Sequence, residues 1–224
     1  MKRENLSLGL GWAVATLLVI VTCTTCLWPA TETTLYTFTG GNNGGYPLAG
    51  LVFDTNGNLY GTTFFGGVFT GPCRVGCGTV FELTPNSGGG STLDTLHRFI
   101  GGSTDAQSPI STLTFDSVGN LYGTGESGGL YSCPDDFGFH CGAVFRLAPS
   151  GGGWNESLIF SFNGHNGYSP VAGLFFHNGR LFGTTQFGPT TTNHVGNGTV
   201  FRTSNKTLAL VSVTYSLERR RQPC

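Results

Sequence analysis

Three stretches of the chain repeat one pattern of apolar and polar residues. They are LVFDTNGNLYGTT from Leu51, LTFDSVGNLYGTG from Leu113 and LFFHNGRLFGTT from Leu174. Each consists of an apolar run, a turn rich in Gly and Asn, and a second run with Leu, an aromatic residue, Gly and Thr, which predicts a β-hairpin. The hairpins return about every 60 residues, a period typical of propeller blades and similar arrays. The sequence therefore predicts a repeat protein.

Two further strands follow each hairpin. The third strands are TVFELTP, GAVFRLAP and GTVFRTSN, and the fourth strands end at Phe99, Phe162 and Leu217. Runs such as LVF and VFEL are apolar on both faces, as in sheets that are covered on both sides. The sequence predicts an all-β fold, a propeller-like array of three four-stranded antiparallel blades at about 51–99, 113–162 and 174–217. A two-sheet sandwich is the alternative.

One short segment is left over in this arrangement. Residues 35–38 (LYTF) resemble the outermost strand of a blade, but no blade for them to complete follows Leu217, where a basic tail at 218–224 begins. Three blades do not close a ring, because known propellers have at least four. The sequence predicts an open or incomplete ring with an orphan strand at 35–38. Its exposed apolar blade face favours self-association.

The first thirty residues differ in character from the repeats. Two basic residues precede an apolar run from Leu8 through Val21, which is the layout of an export signal peptide. An uncleaved membrane anchor extending to Trp28 and a lipid attachment at Cys23 are the alternatives. Each interpretation predicts that the repeat domain, 31–217, lies outside the cytoplasm, either secreted or at the cell surface.

Composition agrees with many short strands joined by tight turns. Gly occurs 37 times in 224 residues, and only 10% of the residues are charged, which does not resemble a helical protein. The 18 Phe, 7 Tyr and 3 Trp supply apolar area for a core. A formal net charge of −1 provides no field that attracts nucleic acid or an anionic membrane surface. We therefore expect no nucleic-acid partner.

Four cysteines lie in pairs within the loops between second and third strands. Cys73 and Cys77 share the first such loop, Cys133 and Cys141 share the second, and the third loop has neither. Cysteines that are present or absent together predict the disulfides Cys73–Cys77 and Cys133–Cys141, which persist in exported proteins. A four-thiolate zinc site is the alternative, although the spacings are irregular.

Other polar groups give weaker indications of chemistry. The letters DTNGN from Asp54 resemble the start of a calcium loop, but no acidic residue completes it, and a hairpin turn explains the same letters. His177 stands in the place of this Asp in the third repeat, so the Asp serves no function common to all repeats. Asp135, Asp136 and His140, in the second cystine loop, are candidate ligands or hydrolytic residues. We predict no catalytic, metal or cofactor site, because the other histidines lack ligand spacing.

The repeated motifs carry a resemblance to a known family. The succession LAGLVFDTNGNLYGTT, GG, CGTVFELTP and LHRF resembles the GloVer tandem repeat of exported bacterial proteins, over Leu35 to about Leu217. The third repeat departs from the pattern at His177 and Phe182. The resemblance implies a propeller-like fold and a secreted or surface location. It implies no activity and transfers no catalytic residues.

Two classes of function fit these observations. The first is a secreted or cell-surface binding or scaffold module, in which loops of unequal length on a rigid frame hold a glycan, peptide or protein. The second is an extracellular enzyme that acts on polysaccharide, which would need an acid and a base in one place. A non-functional truncated fragment is a further alternative.

Overall fold

The computed structural model describes residues 31–133, 140–191, 194–204 and 211–213. These residues form antiparallel β-sheets and one short 3-10 helix, Gly41–Asn43. The chain divides into two compact units, Met1–Thr34 and Leu35–Cys224, and every described strand belongs to the second. The all-β prediction is confirmed. The predicted export segment and basic tail lie outside the described residues.

The first repeat forms a four-stranded antiparallel sheet, called the first sheet below. Its strands, in spatial order, are β1 (Val52–Phe53), β2 (Leu59–Thr63), β3 (Thr79–Pro85) and β4 (Ser91–Arg98). Spatial order equals chain order, because each strand pairs with the one before it. The pairing of β3 with β4 shifts register between Val80 and Phe81, which indicates a β-bulge in the outer strand.

The second repeat forms the second sheet. Its strands are β5 (Ala106–Pro109), β6 (Thr114–Phe115), β7 (Leu121–Gly128), β8 (Ala143–Ser150) and β9 (Gly153–Ser161). Both β5 and β6 pair with β7. On its other edge β7 pairs with β8, and β8 pairs with β9. The register shift of the first sheet recurs here between Val144 and Phe145, so the two sheets share their detailed geometry.

The third repeat forms the third sheet and an additional hairpin. The strands of the sheet, in spatial order, are β10 (Phe175–His177), β11 (Arg180–Thr185), β14 (Thr199–Ser204) and β15 (Val211–Val213). The hairpin consists of β12 (Gly188–Thr191) and β13 (His194–Gly196). It occupies the loop between the second and third strands of the repeat, where the first two repeats carry their cysteines.

The second sheet has one strand more than predicted, which corrects the expectation of three equal four-stranded sheets. β5 pairs with the end of β7, with Ala106 opposite Gly128. In the other repeats the same link makes only isolated bridges among the described residues. In the first and third repeats, the position equivalent to Ala106 is occupied by Gly44 and Gly167, whose φ angles are 94° and 99°. A side chain disfavours positive φ, so Ala106 keeps the link extended, whereas the two glycines turn it.

Residues 35–38 form no strand, so the predicted orphan strand is wrong. Instead, Tyr36 and Phe38 pack on the face of the first sheet. The same ring contact recurs between the sheets, and the three pairs are Phe38–Phe81, Phe99–Phe145 and Phe162–Phe201, with centroids 4.9, 4.9 and 5.0 Å apart. The segment thus takes the place of the end of a preceding fourth strand. Side-chain packing holds it there without a paired strand in the described part of the chain.

The glycine in each second strand is required by this core. A Cβ on Gly123 would lie 2.5 Å from the Cζ atom of Phe145, a contact that would force the ring out of place. Gly61 and Gly183 make the same approach to the rings of the first and third sheets. The Gly of the repeated LYGT motif therefore serves packing, because only Gly lets the ring lie against the backbone.

Neighbouring sheets pack through apolar side chains, whereas each outer face of the array has an exposed apolar residue in the described part of the chain. Val80 and Val144 are 0% exposed, whereas the equivalent Val200 in the third sheet is 54% exposed. At the other end, Leu51 of the first sheet is 46% exposed, whereas the equivalent Leu113 is 2% exposed. Each outer face presents one half of a contact that is closed between the sheets.

Candidate functional site

Two disulfides stiffen the loops between the second and third strands. Cys73 bonds to Cys77 and Cys133 bonds to Cys141, with Cα atoms 5.2 and 4.9 Å apart, as predicted. All four cysteines are buried, the first pair in the core between the first and second sheets and the second pair in the core between the second and third sheets. The cystines therefore anchor each loop to the sheets, and the loop tips project from them.

A groove lies between the first cystine loop and the segment before the first hairpin. Its volume is about 590 Å³, and it is lined by Phe38, Thr39, Gly40, Gly41, Gly45, Tyr46, Phe65, Gly66, Phe69, Arg74 and Val75. Tyr46 is 66% exposed and Phe69 is 48% exposed. Arg98 donates a hydrogen bond from Nε to the carbonyl oxygen of Asn42, at 2.8 Å, and so secures the 3-10 helix at the edge of the groove.

Two smaller grooves lie at related positions. One, of about 360 Å³, lies on the other side of the cystine loop, so that Arg74 and Val75 line both this groove and the one of about 590 Å³. The other, of about 400 Å³, includes Leu130 and Tyr131 of the second repeat. Tyr131 follows β7 as Phe69 follows β2, and both rings are about half exposed. Exposed aromatic side chains therefore recur on the loops that the cystines anchor.

A separate polar cluster joins the first and second sheets. His97 lies on β4, Asp105 lies in the link that follows, and Glu156 lies on β9. The Nε2 atom of His97 is 3.4 Å from the Oδ2 atom of Asp105. One ligand atom from each of the three residues lies within 4.8 Å of the other two. The sequence did not predict this cluster, because Glu156 is remote from the other two in the chain.

The surroundings of Glu156 in this polar cluster have opposing effects on its pKa. Burial raises the pKa of Glu156, and the negative charge of Asp105 adds to this, while His97 lowers it, so that the pKa reaches about 7. Asp105 is held in place by backbone hydrogen bonds from Ile100 to Oδ2, at 2.8 Å, and from Ala106 to Oδ1, at 2.7 Å. An imidazole and two carboxylates in one place can hold a proton or a cation.

A family model, described as the Gloeobacter/Verrucomicrobia repeat, matches residues 21–222. This range covers most of the chain. The chain belongs to the Gloeobacter/Verrucomicrobia repeat family. The resemblance drawn from the repeated motifs is thus confirmed. No curated protein matches the chain.

The family match identifies a repeat but no functional residue. The role of each predicted site residue therefore depends on its own surroundings in the structure. Asp135 and Asp136 lie outside the described residues. His140 is half-buried at the edge of the second cystine loop, where its backbone bridges to Ser132. Among the described residues, the polar cluster of His97, Asp105 and Glu156 is the one group with ligand atoms close enough to share a metal ion.

Asp54 and Asp116 serve the turns of this family's repeated hairpin. Asp116 accepts backbone hydrogen bonds from Val118 and Asn120 at Oδ1, and side-chain hydrogen bonds from Asn120 and Tyr122 at Oδ2. Asp54 makes the same four contacts in the first repeat. These four donors take up the carboxylate oxygens, which supports the interpretation of the letters DTNGN as a turn.

The third repeat of this family member turns differently. Asn178 and Gly179 both have positive φ, 49° and 71°, and join His177 directly to Arg180 as a two-residue hairpin loop. His177 therefore does not replace Asp54 in the same turn, because its loop is one residue shorter. Phe182 takes the place of Tyr122, whose hydroxyl would have no Asp to donate to. The third repeat therefore lacks the Asp and the tyrosine hydroxyl together, because its shorter loop does not use the hydrogen bonds that they make in the other repeats.

The described part of this repeat protein contains no helix long and apolar enough to cross a membrane.

Proposed function

We propose that this chain is an extracytoplasmic binding module whose sheets are the blades of a propeller-like array. Two observations support the array: spatial order follows chain order in the first and third sheets, and each sheet contacts the next. The two disulfides support an oxidising compartment, where such bonds persist. Both the array and the disulfides fit a secreted or cell-surface protein that is exported by the segment at 1–30.

The ligand site of this module is the groove of about 590 Å³ beside the first cystine loop. The observation that carries the proposal is its exposed aromatic lining, to which different loops contribute Tyr46 and Phe69. Exposed rings on loops held by a rigid frame are costly to leave in water, and they are typical of recognition surfaces.

A glycan fits this groove best among the three ligand classes. Aromatic faces stack on the apolar faces of sugar rings, and the groove offers the exposed rings of Tyr46 and Phe69 for such contacts. Arg74 is the one charged side chain in the lining. A groove of this kind favours a neutral or weakly acidic sugar over a strongly charged peptide.

Enzymatic cleavage of polysaccharide is the competing function. The three residues of the polar cluster line none of the three grooves described above. An acid and a base that act on a bound sugar must lie within hydrogen-bond reach of it. The geometry therefore favours binding over cleavage.

The test is a glycan array, followed by calorimetry on each glycan that binds, with the purified oxidised protein and with Tyr46→Ala and Phe69→Ala. We expect each variant to lose at least about tenfold in affinity, since a lost stacking contact is worth at least about 1.4 kcal/mol. Val118→Ala is the matched control, because Val118 is an exposed apolar residue at a hairpin turn, 76% exposed and remote from the groove.

Three results would contradict the proposal. They are binding by the two groove variants that equals binding by the wild type, binding only to peptides, and release of reducing sugar from chromogenic polysaccharides. The last result would support the enzyme instead.

A further inference from the structure

We propose that His97, Asp105 and Glu156 form a divalent-cation site between the first and second sheets, and that Zn²⁺ is the cation it fits best. One imidazole nitrogen and two carboxylate oxygens are a donor set that Zn²⁺ accepts, with a fourth position open to water. In a tetrahedral site with ligands at about 2.0 to 2.1 Å, two neighbouring ligand atoms lie about 3.4 Å apart. The Nε2 atom of His97 and the Oδ2 atom of Asp105 are 3.4 Å apart.

Glu156 provides a second observation. Its Oε1 atom is buried and accepts no hydrogen bond. A buried carboxylate oxygen without a donor is costly, and here it lies close to a second carboxylate that raises the cost further. A bound cation would supply the missing positive charge to both carboxylates at once.

The first two ligands are already oriented by the fold. The backbone amide of Ile100 donates to the Oδ2 atom of Asp105, which leaves a second lone pair on that oxygen. The ring of His97 packs edge-on against Phe99, with centroids 4.6 Å apart. Such supporting contacts fix the direction of a ligand and preserve metal affinity. A cation would therefore need to reposition little besides the Glu156 carboxylate.

Comparison of the repeats separates the polar cluster from the needs of the fold. His97 pairs with Val80 as Phe160 pairs with Val144, so Phe160 holds the position of His97 in the second repeat. Glu156 pairs with Leu147 as Leu93 pairs with Leu83, so Leu93 holds the position of Glu156 in the first repeat. Both ligands therefore stand where another repeat has an apolar residue.

Asp105 also has a neutral counterpart. Asn166 closes the link after the second repeat by accepting a backbone hydrogen bond from Asn163, at 3.0 Å, as Asp105 does from Ile100. The link thus needs an acceptor but not a charge. The imidazole and both carboxylates occur together at one interface, which is what a cation site requires and what loop closure does not.

The experiment is calorimetric titration of the full-length, oxidised protein with Zn²⁺ after removal of metal with EDTA, with free thiols alkylated so that they do not bind zinc. His97→Phe and Glu156→Leu take their new residues from the equivalent positions, so both are expected to fold. His177→Phe is the matched control, because it removes an exposed histidine outside the polar cluster.

We expect one Zn²⁺ per chain for the wild type and for His177→Phe, and at least about a tenfold loss of affinity in the two ligand variants. Zn²⁺ should raise the Tm of the wild type and leave that of the ligand variants unchanged. Glu156→Gln, which keeps the size of the side chain, must lose affinity too. The proposal is overturned if folded wild type binds no Zn²⁺, if Ca²⁺ binds in its place, or if the ligand variants bind as tightly as the control. None of these outcomes depends on whether a glycan binds.

Discussion

The interface between the first and second sheets and the interface between the second and third sheets share one frame. In both, the last Phe of one repeat packs on the third-strand Phe of the next, at 4.9 and 5.0 Å. In both, a hairpin tyrosine contacts a phenylalanine of the next β-hairpin, as Tyr60 contacts Phe115 and Tyr122 contacts Phe176. Each interface also contains one cystine.

The two interfaces differ in what fills the remaining space. The first contains the polar cluster, and the second contains Phe160, whose ring packs against Phe162 with centroids 4.9 Å apart. Buried charges without full pairing oppose folding, whereas a phenylalanine in the same place favours it. The comparison teaches that the shared frame carries the stability, so that one interface can hold polar residues that the fold does not need.

The prediction with the largest expected effect tests whether the shared ring contact contributes equally to stability in both interfaces. Phe145→Ala and Phe201→Ala remove the same ring from the first and the second interface, where the rings are 0% and 3% exposed. Each variant is expected to lose about 3 to 5 kcal/mol of unfolding free energy, through lost burial and the cavity left behind. Urea unfolding followed by circular dichroism measures both. A loss below about 1 kcal/mol at Phe145 alone would break the comparison.

A smaller effect is expected from the disulfides. Replacing Cys73 and Cys77 by Ala, or Cys133 and Cys141 by Ala, should each cost about 2 kcal/mol, because these bonds close short loops. Peptide mapping without reductant should find Cys73 linked to Cys77 in the wild type. Links between the two loops would contradict the anchoring of each loop to its own interface.

Asp116 gives the next effect and a dependence on pH. Asp116→Ala should cost about 1 to 3 kcal/mol at neutral pH, because the backbone amides of Val118 and Asn120 lose their acceptor. Burial raises the pKa of Asp116, but the hydrogen bonds from Asn120, Tyr122 and Val118 outweigh it, so the pKa lies below the usual 3.8. The stability that Asp116 contributes is therefore present above pH about 4 and is lost as the pH falls through its folded-state pKa.

The measurement is urea unfolding from neutral to strongly acidic pH. The difference between wild type and Asp116→Ala should shrink toward acid. Tyr122→Phe is the milder control, since Phe182 holds that position in the third repeat. A difference that stays constant down to the lowest pH would show that the carboxylate is not the group responsible.

The smallest effect on stability is expected for a substitution on an outer face, and the equivalent interior substitution is its comparison. Val200→Lys should change the unfolding free energy by less than about 0.5 kcal/mol, because Val200 is 54% exposed, whereas Val144→Lys should prevent stable folding. We propose that the open faces of the third and first sheets associate between copies of the chain. They present the two halves of the internal contact, while Leu35–Phe38 already covers the outer part of the first sheet.

Light scattering of the full chain at tens of micromolar tests this proposal. Wild type should associate, and Val200→Lys should do so less. A stable, soluble wild-type monomer would refute it.

Much of the fold could be predicted because its causes are local in sequence. Asn-Gly turns between apolar runs indicate hairpins, and two cysteines within one loop indicate a disulfide. The orphan strand at 35–38 was wrong because its apolar pattern reports burial, and burial on the first sheet did not require a paired strand. The polar cluster escaped prediction because spacing along the chain does not show that β4 and β9 lie side by side.

The sequence by itself determined the repeats, the hairpins, the loop disulfides and the family. Only the tertiary structure decided which repeated residue meets which neighbour. It explains why a second-strand Gly lies under a Phe ring, and why Ala106 extends β5 where Gly44 and Gly167 turn the chain. It also brings His97, Asp105 and Glu156 together. The physical reason is range: turn chemistry acts over a few residues, whereas packing and charge act between atoms that folding brings into contact.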